Sequence, residues 1–81
     1  MKKVIIKTIQ VIDPHSLWDH IGKQAEMARK RAGITQVDAA IKLGATRTTI
    51  TNIEAGRQET PLSRLYTLAL IYGCEVKDWL P

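Results

Sequence analysis

Residues 35–56, TQVDAAIKLGATRTTITNIEAG, constrain the fold of this chain more than any other stretch. Thr35 is a good helix cap, and Asp38 stands three residues on in a capping-box arrangement. Ala39, Ala40 and Leu43 then fall on one face of a short helix. Gly44 follows directly, where a positive φ is cheap only for glycine. Thr46 caps the next helix, which runs to about Glu54 with Ile50 and Ile53 inward, and Gly56 ends it. The pattern is two short helices joined by a tight turn.

The flanks add helices on either side. Asp13-Pro14 reads as a cap with proline at the first helical position, and Ser16 with Asp19 offers a second start. The helix that follows runs to about Ala32 and stops at Gly33. Leu17, Ile21, Ala25, Ala28 and Ala32 form its inner stripe. Thr60-Pro61 opens a fourth helix by the same cap-then-proline logic. Leu62, Leu65, Leu68, Ala69 and Tyr72 supply its buried side, and Gly73 ends it. Residues 76–80 make a last turn, with Trp79 and Leu80 closing the core. Five helices with short connections predict an all-α, compact five-helix bundle.

Residues 3–12, KVIIKTIQVI, are different: β-branched residues dominate, and Asp13-Pro14 bounds the run. It reads as a β-strand. A strand cannot satisfy its own backbone groups, and no second convincing strand follows. Its expected partner is the same strand of a second copy or an edge strand of another protein. The alternative is an extended arm packed on the helices. The domain reading is therefore an N-terminal arm over residues 1–13 and a helical domain over 14–81.

An 81-residue chain supports one small core, for which dimerisation or tight helix packing is expected. Twelve Lys and Arg against eight Asp and Glu give a net charge of +4, which favours a polyanionic partner only weakly. The lone Cys74 can form no internal disulfide and reads as a packing residue past a helix end, in keeping with a reducing cytoplasm. The apolar N-terminal run is too short to span a membrane and lacks a small-residue cleavage site. His15 and His20 miss the i, i+4 spacing of a helical metal pair, and no Cys or carboxylate set completes a site. No phosphate-cradling glycine loop or nucleophile elbow is present in the sequence, so neither catalysis nor a cofactor is expected.

Taken in order, the residues Ile21-Gly22, Arg29, Gly33-Ile34-Thr35-Gln36, Ala40, Leu43-Gly44, Thr46-Arg47-Thr48-Thr49-Ile50, Ile53-Glu54, Gly56-Arg57, Pro61, Leu65 and Ala69 resemble the lambdoid repressor and Cro-type, or XRE, family of helix-turn-helix proteins. The resemblance covers most of the chain, from about Ile21 to Leu80, and implies a lambda-repressor-like bundle. Three features depart from the family pattern. Ala55 replaces the usual Asn or Gly before Gly56. Ala25, Ala28 and Ala39 are smaller than the aliphatics often found there, so another residue must fill the core. Residues 3–12 lie outside the pattern altogether.

The resemblance implies double-stranded DNA as the partner and the third helix, about residues 46–54, as the reader. A helix fits the major groove, where each base pair shows a distinct donor and acceptor pattern. Base contacts are expected from Arg47, Thr48 and Asn52, with Thr51 as a further candidate. Arg47 suits guanine O6 and N7, Asn52 adenine, and a threonine a thymine methyl or a phosphate. Phosphate contacts are expected from Gln36, Thr46, Thr49, Arg57, Gln58 and Thr60, with Arg57 the strongest. Arg64 and Lys42 read as ordinary surface charges. Arg29 and Glu54 are expected to form a partly buried ion pair between the first and third helices. Trp18 suits either the core or a dimer seam.

The leading function is a cytoplasmic, bacterial or phage-encoded transcriptional repressor acting as a homodimer. Two recognition helices one DNA turn apart, roughly 34–36 Å, would read a pseudo-palindrome. A second reading is an antitoxin-type regulator whose N-terminal strand pairs with a toxin. A third keeps the fold as a protein–protein module without DNA binding.

Overall fold

The computed structural model describes residues 4–6 and 10–81. Two short strands, β1 (Val4–Ile6) and β2 (Gln10–Ile12), precede four α-helices: α1 (Pro14–Arg31), α2 (Gln36–Leu43), α3 (Arg47–Glu54) and α4 (Leu62–Tyr72). A 3-10 turn, Val76–Trp79, follows. The fifth helix expected from the sequence is this single turn.

The N-terminal expectation needs correction. β1 and β2 pair with each other, antiparallel, with Val4 opposite Ile12, Ile5 opposite Val11 and Ile6 opposite Gln10. Two three-residue segments within one chain meet backbone needs that a continuous strand would have had to meet outside it. The parts of the expected strand at residues 3 and 7–9 lie outside the described residues.

Each helix start has a chemical cause. Asp13 Oδ1 accepts from His15 N at 2.9 Å, and Pro14 opens α1. The Ser16 hydroxyl donates to Asp13 Oδ2 at 3.1 Å, so the two candidate starts form one cap. This bond, with the His15 amide, holds the Asp13 carboxyl below its ordinary pKa. Thr35 Oγ1 accepts from Asp38 N at 3.1 Å, and Thr46 Oγ1 from Thr49 N at 3.3 Å.

α4 begins otherwise than the sequence suggests. Pro61 occupies the cap position, without a side-chain cap bond, and its extended ψ of 143° keeps it out of the helix. Leu62 lies on the outer face with Tyr66 and Leu70, 68% exposed, although its spacing places it with the buried leucines. Leu80 and Ala32 are likewise exposed rather than inward.

Ile21, Ala25, Ala28, Ala39, Ala40, Ile50, Ile53, Leu65, Leu68, Ala69, Tyr72, Val76 and Trp79 form one buried cluster. The large residue that the small alanines call for is Trp79, 1% exposed, carried on a turn that packs against α1 and α4. Its ring meets Tyr72 at a 6.1 Å centroid separation and a 46° tilt. Leu17, Trp18 and Cys74 pack half-buried against this cluster, and burial pushes the Cys74 thiol up.

α3 packs on both α1 and α2. Gly22 makes the first contact close: a Cβ there would lie 2.7 Å from the Glu54 carbonyl oxygen. Only the missing side chain lets α1 touch the backbone at the end of α3.

Candidate nucleic-acid interface

The turn between α2 and α3 sets the angle of α3. Gly44 adopts φ +74°, and Ala45 N donates to Ala40 O at 2.9 Å, closing α2. Thr46 then restarts the helix immediately. Ile50 and Ile53 turn into the core and the Glu54 side chain is buried behind the helix, which leaves Arg47 and Thr48 facing outward.

Thr46, Arg47 and Thr48 are exposed; Thr49, Thr51 and Asn52 are half-buried. These side chains gather on α3 and its cap, with their polar groups partly occupied. Thr46 Oγ1 and Thr49 Oγ1 lie 3.2 Å apart. Thr51 Oγ1 donates to Arg47 O at 3.1 Å, which commits its hydroxyl hydrogen within the protein and leaves its methyl for contact. Asn52 Oδ1 accepts from Arg57 Nη1 at 3.4 Å, tying the end of α3 to the segment after it.

Behind this face lies a charged support. Arg29 Nε donates to Glu54 Oε2 at 2.6 Å and Nη2 to Oε1 at 3.1 Å. The fork is two-pronged, between side chains 9% and 4% exposed. Arg29 Nη1 also donates to Ile34 O at 2.9 Å, which fastens the loop before α2. The Glu54 bond pushes the Arg29 pKa further above its already high value. Gln36, first residue of α2, joins the cluster by donating from Nε2 to Glu54 Oε1 at 3.0 Å.

After α3, Gly56 takes φ +71° and is buried against Asp19 of α1. Arg57 and Gln58 flank a shallow depression shared with Pro14, His15 and Trp18. Arg57 is exposed and Gln58 half-buried. Thr60 is the exception among the expected phosphate contacts. It is 4% exposed, and its hydroxyl has no hydrogen-bond partner among the described residues. It is the most deeply buried of the expected phosphate contacts. Its neighbour Pro61 is exposed, which spacing alone could not distinguish. The residues that sequence reasoning passed over are connections rather than positions: the Gln36–Glu54 and Asn52–Arg57 bonds join residues already singled out separately.

The family model described as Helix-turn-helix matches residues 26–79, two thirds of the chain. The chain belongs to the helix-turn-helix family. It is a DNA-binding domain of the XRE, transcription-regulating type. Solved structures share its fold. The restriction-modification controller protein C.AhdI from Aeromonas hydrophila superposes with a TM-score of 0.78 at 20% identity, over 85% of this chain and 100% of that one. The clp gene regulator ClgR from C. glutamicum gives 0.72 at 21% identity, over 75% and 79%. Hydroxypropylphosphonic acid epoxidase from S. wedmorenis gives 0.77 at 20% identity, over 83% of this chain but 36% of that one. The helix-turn-helix chain spans about a third of the epoxidase, and the likeness is one of fold. No curated protein matches the sequence significantly. Among the described residues no helix is long and apolar enough to cross a membrane. No three His, Cys, Asp or Glu side chains converge there as a metal site.

Proposed function

We propose that the protein is a sequence-specific repressor that binds a pseudo-palindromic operator as a homodimer and reads it with α3. The observation that carries this reading is the polar face of α3, backed by the buried Arg29–Glu54 fork. Specific readout needs side chains held at a defined angle to the groove, and a face anchored from behind by charged hydrogen bonds meets that need. Arg47, Thr48 and Asn52 are the base readers, with Thr51 contributing its methyl. Gln36, Thr46, Thr49, Arg57 and Gln58 serve the phosphates.

A homodimer is supported by the far side of the domain. Leu62, Tyr66 and Leu70 recur every four residues along α4 and are 68%, 60% and 66% exposed. Tyr66 and Leu70 also border a groove lined by Ala69, Cys74 and Val76, with Glu75 and Lys77 beside them. Ridge and groove lie side by side, so a second copy turned about a twofold axis sets its ridge into this groove and receives the other in return. α3 contributes to neither, and both recognition helices stay free.

Selection of genomic fragments on the purified protein, followed by binding to the recovered site at two salt concentrations, tests the reading. An inverted repeat should emerge. Arg47→Ala should cost about 1–3 kcal/mol and relax the preference at one base pair. Arg57→Ala should weaken all sequences alike and lower the salt slope by about one. Absence of any enriched site, with binding indifferent to Arg47→Ala, overturns it.

A further inference from the structure

Gly56 brings the segment after α3 against the first turns of α1. It is buried with φ +71°, and a Cβ on it would lie 2.8 Å from Asp19 Cα. This approach gathers Arg57, Gln58 and Glu59 around one depression with Pro14, His15 and Trp18. The Asn52 carbonyl oxygen holds Arg57 by one N–H group and leaves the others for an outside acceptor. His15 gives its backbone amide to the Asp13 cap, but its imidazole takes no part in that cap and is 80% exposed. Its Nε2 lies 3.5 Å from Asp19 Oδ2.

Charge decides what such a place can hold. Arg57 and Glu59, both exposed, offset one another. Asp13 is engaged by the His15 amide and the Ser16 hydroxyl. Asp19, beside the imidazole, then tips the balance negative while His15 is neutral, and a protonated His15 offsets it. We infer that the depression seats a phosphate of the DNA backbone between Arg57 and His15, and that His15 takes up a proton when the duplex binds. The inference rests on the reading of Arg57 and Gln58 as phosphate contacts and adds a residue to it. An imidazolium donates from both ring nitrogens, and a phosphate anion beside it favours that charged form. Affinity is therefore greater below the range in which an imidazole titrates and falls as pH rises through it. A backbone contact carries no sequence information, so the effect belongs to any duplex.

The test measures binding to the selected operator, and to an unrelated duplex of equal length, at about pH 6 and about pH 8. Wild type should bind both duplexes about threefold more tightly at the lower pH, which corresponds to an upward shift of about half a pH unit in the ring-proton titration of His15 on the duplex. The salt slope should steepen at the lower pH by up to about one. His15→Gln should remove the pH dependence on both duplexes, and His20→Gln should keep it. The melting temperature of His15→Gln should hold, because the cap uses the backbone amide. Affinity indifferent to pH, a dependence that survives His15→Gln, or a His15 titration unmoved by the duplex overturns the inference. Arg57→Ala separates the two readings. If it lowers the salt slope while His15→Gln changes nothing, only this inference fails. If it leaves the slope intact, the phosphate reading of the segment fails and takes this inference with it.

Discussion

Arg29 and Glu54 stand 25 residues apart in sequence and meet at 2.6 Å behind α3. The pair serves geometry more than net stability, because desolvating both groups offsets much of their attraction. Removing one partner is another matter, since the other stays buried and charged. Arg29→Ala should therefore lose about 3–4 kcal/mol of unfolding free energy, read from denaturant midpoints. A curve that overlays the wild type would show that the pair does not anchor α1 to α3. Tyr72 gives a second residue-scale prediction. Burial raises its pKa from 10.0 to about 12. The folded chain then holds this proton where the unfolded chain has released it. The associated stability is present below pH 10, and is lost as pH rises from about 10 to about 12. The thermal midpoint should fall across that window, and Tyr72→Phe should remove that part of the fall.

At the scale of elements, two glycines act through different physics. Gly44 needs its left-handed φ of +74°, but a Cβ there meets nothing within 4 Å. Gly44→Ala should cost only the conformational penalty, about 1 kcal/mol. Gly22 has ordinary helical backbone, but an added Cβ would press on the carbonyls of Ile53 and Glu54. Backbone atoms cannot swing aside as a flexible side chain can. Gly22→Ala should cost more, about 2–3 kcal/mol, by forcing α1 from α3. It should also weaken operator binding among molecules that remain folded, whereas Gly44→Ala should chiefly lower the melting temperature. Equal losses from the two substitutions would contradict the close α1–α3 approach. The beginnings of α1, α2 and α3 were readable from Asp13, Thr35 and Thr46, because capping is a local bond spanning two or three residues. α4 starts one position later than the Thr60-Pro61 pair suggests, with Pro61 as its cap. The choice between cap and first helical residue depends there on how Thr60 is buried against the rest of the fold.

For the whole molecule, the exposed ridge of Leu62, Tyr66 and Leu70 carries the oligomeric prediction. The protein should sediment as a dimer at micromolar concentration, and Tyr66→Glu should give a folded monomer with weakened operator binding. A wild-type monomer would refute the α4 contact and return attention to a separate partner. The helix-turn-helix core was legible in the chain because its determinants are local. Thr caps, apolar residues at helical spacing and Gly44 each act over a few residues, and their order carries the family pattern. What lies far apart in sequence had to await the packed fold. The filling of the core by Trp79, the outward turn of Leu62 and the burial of Thr60 all belong to that class. So does the path from Arg29 through Glu54 and Gln36 to Arg47, since hydrogen bonds answer to distance and direction in space. The sequence by itself determined the local polar pattern of α3 and its cap; the tertiary structure decided which of those residues reach solvent and which hold the others in place.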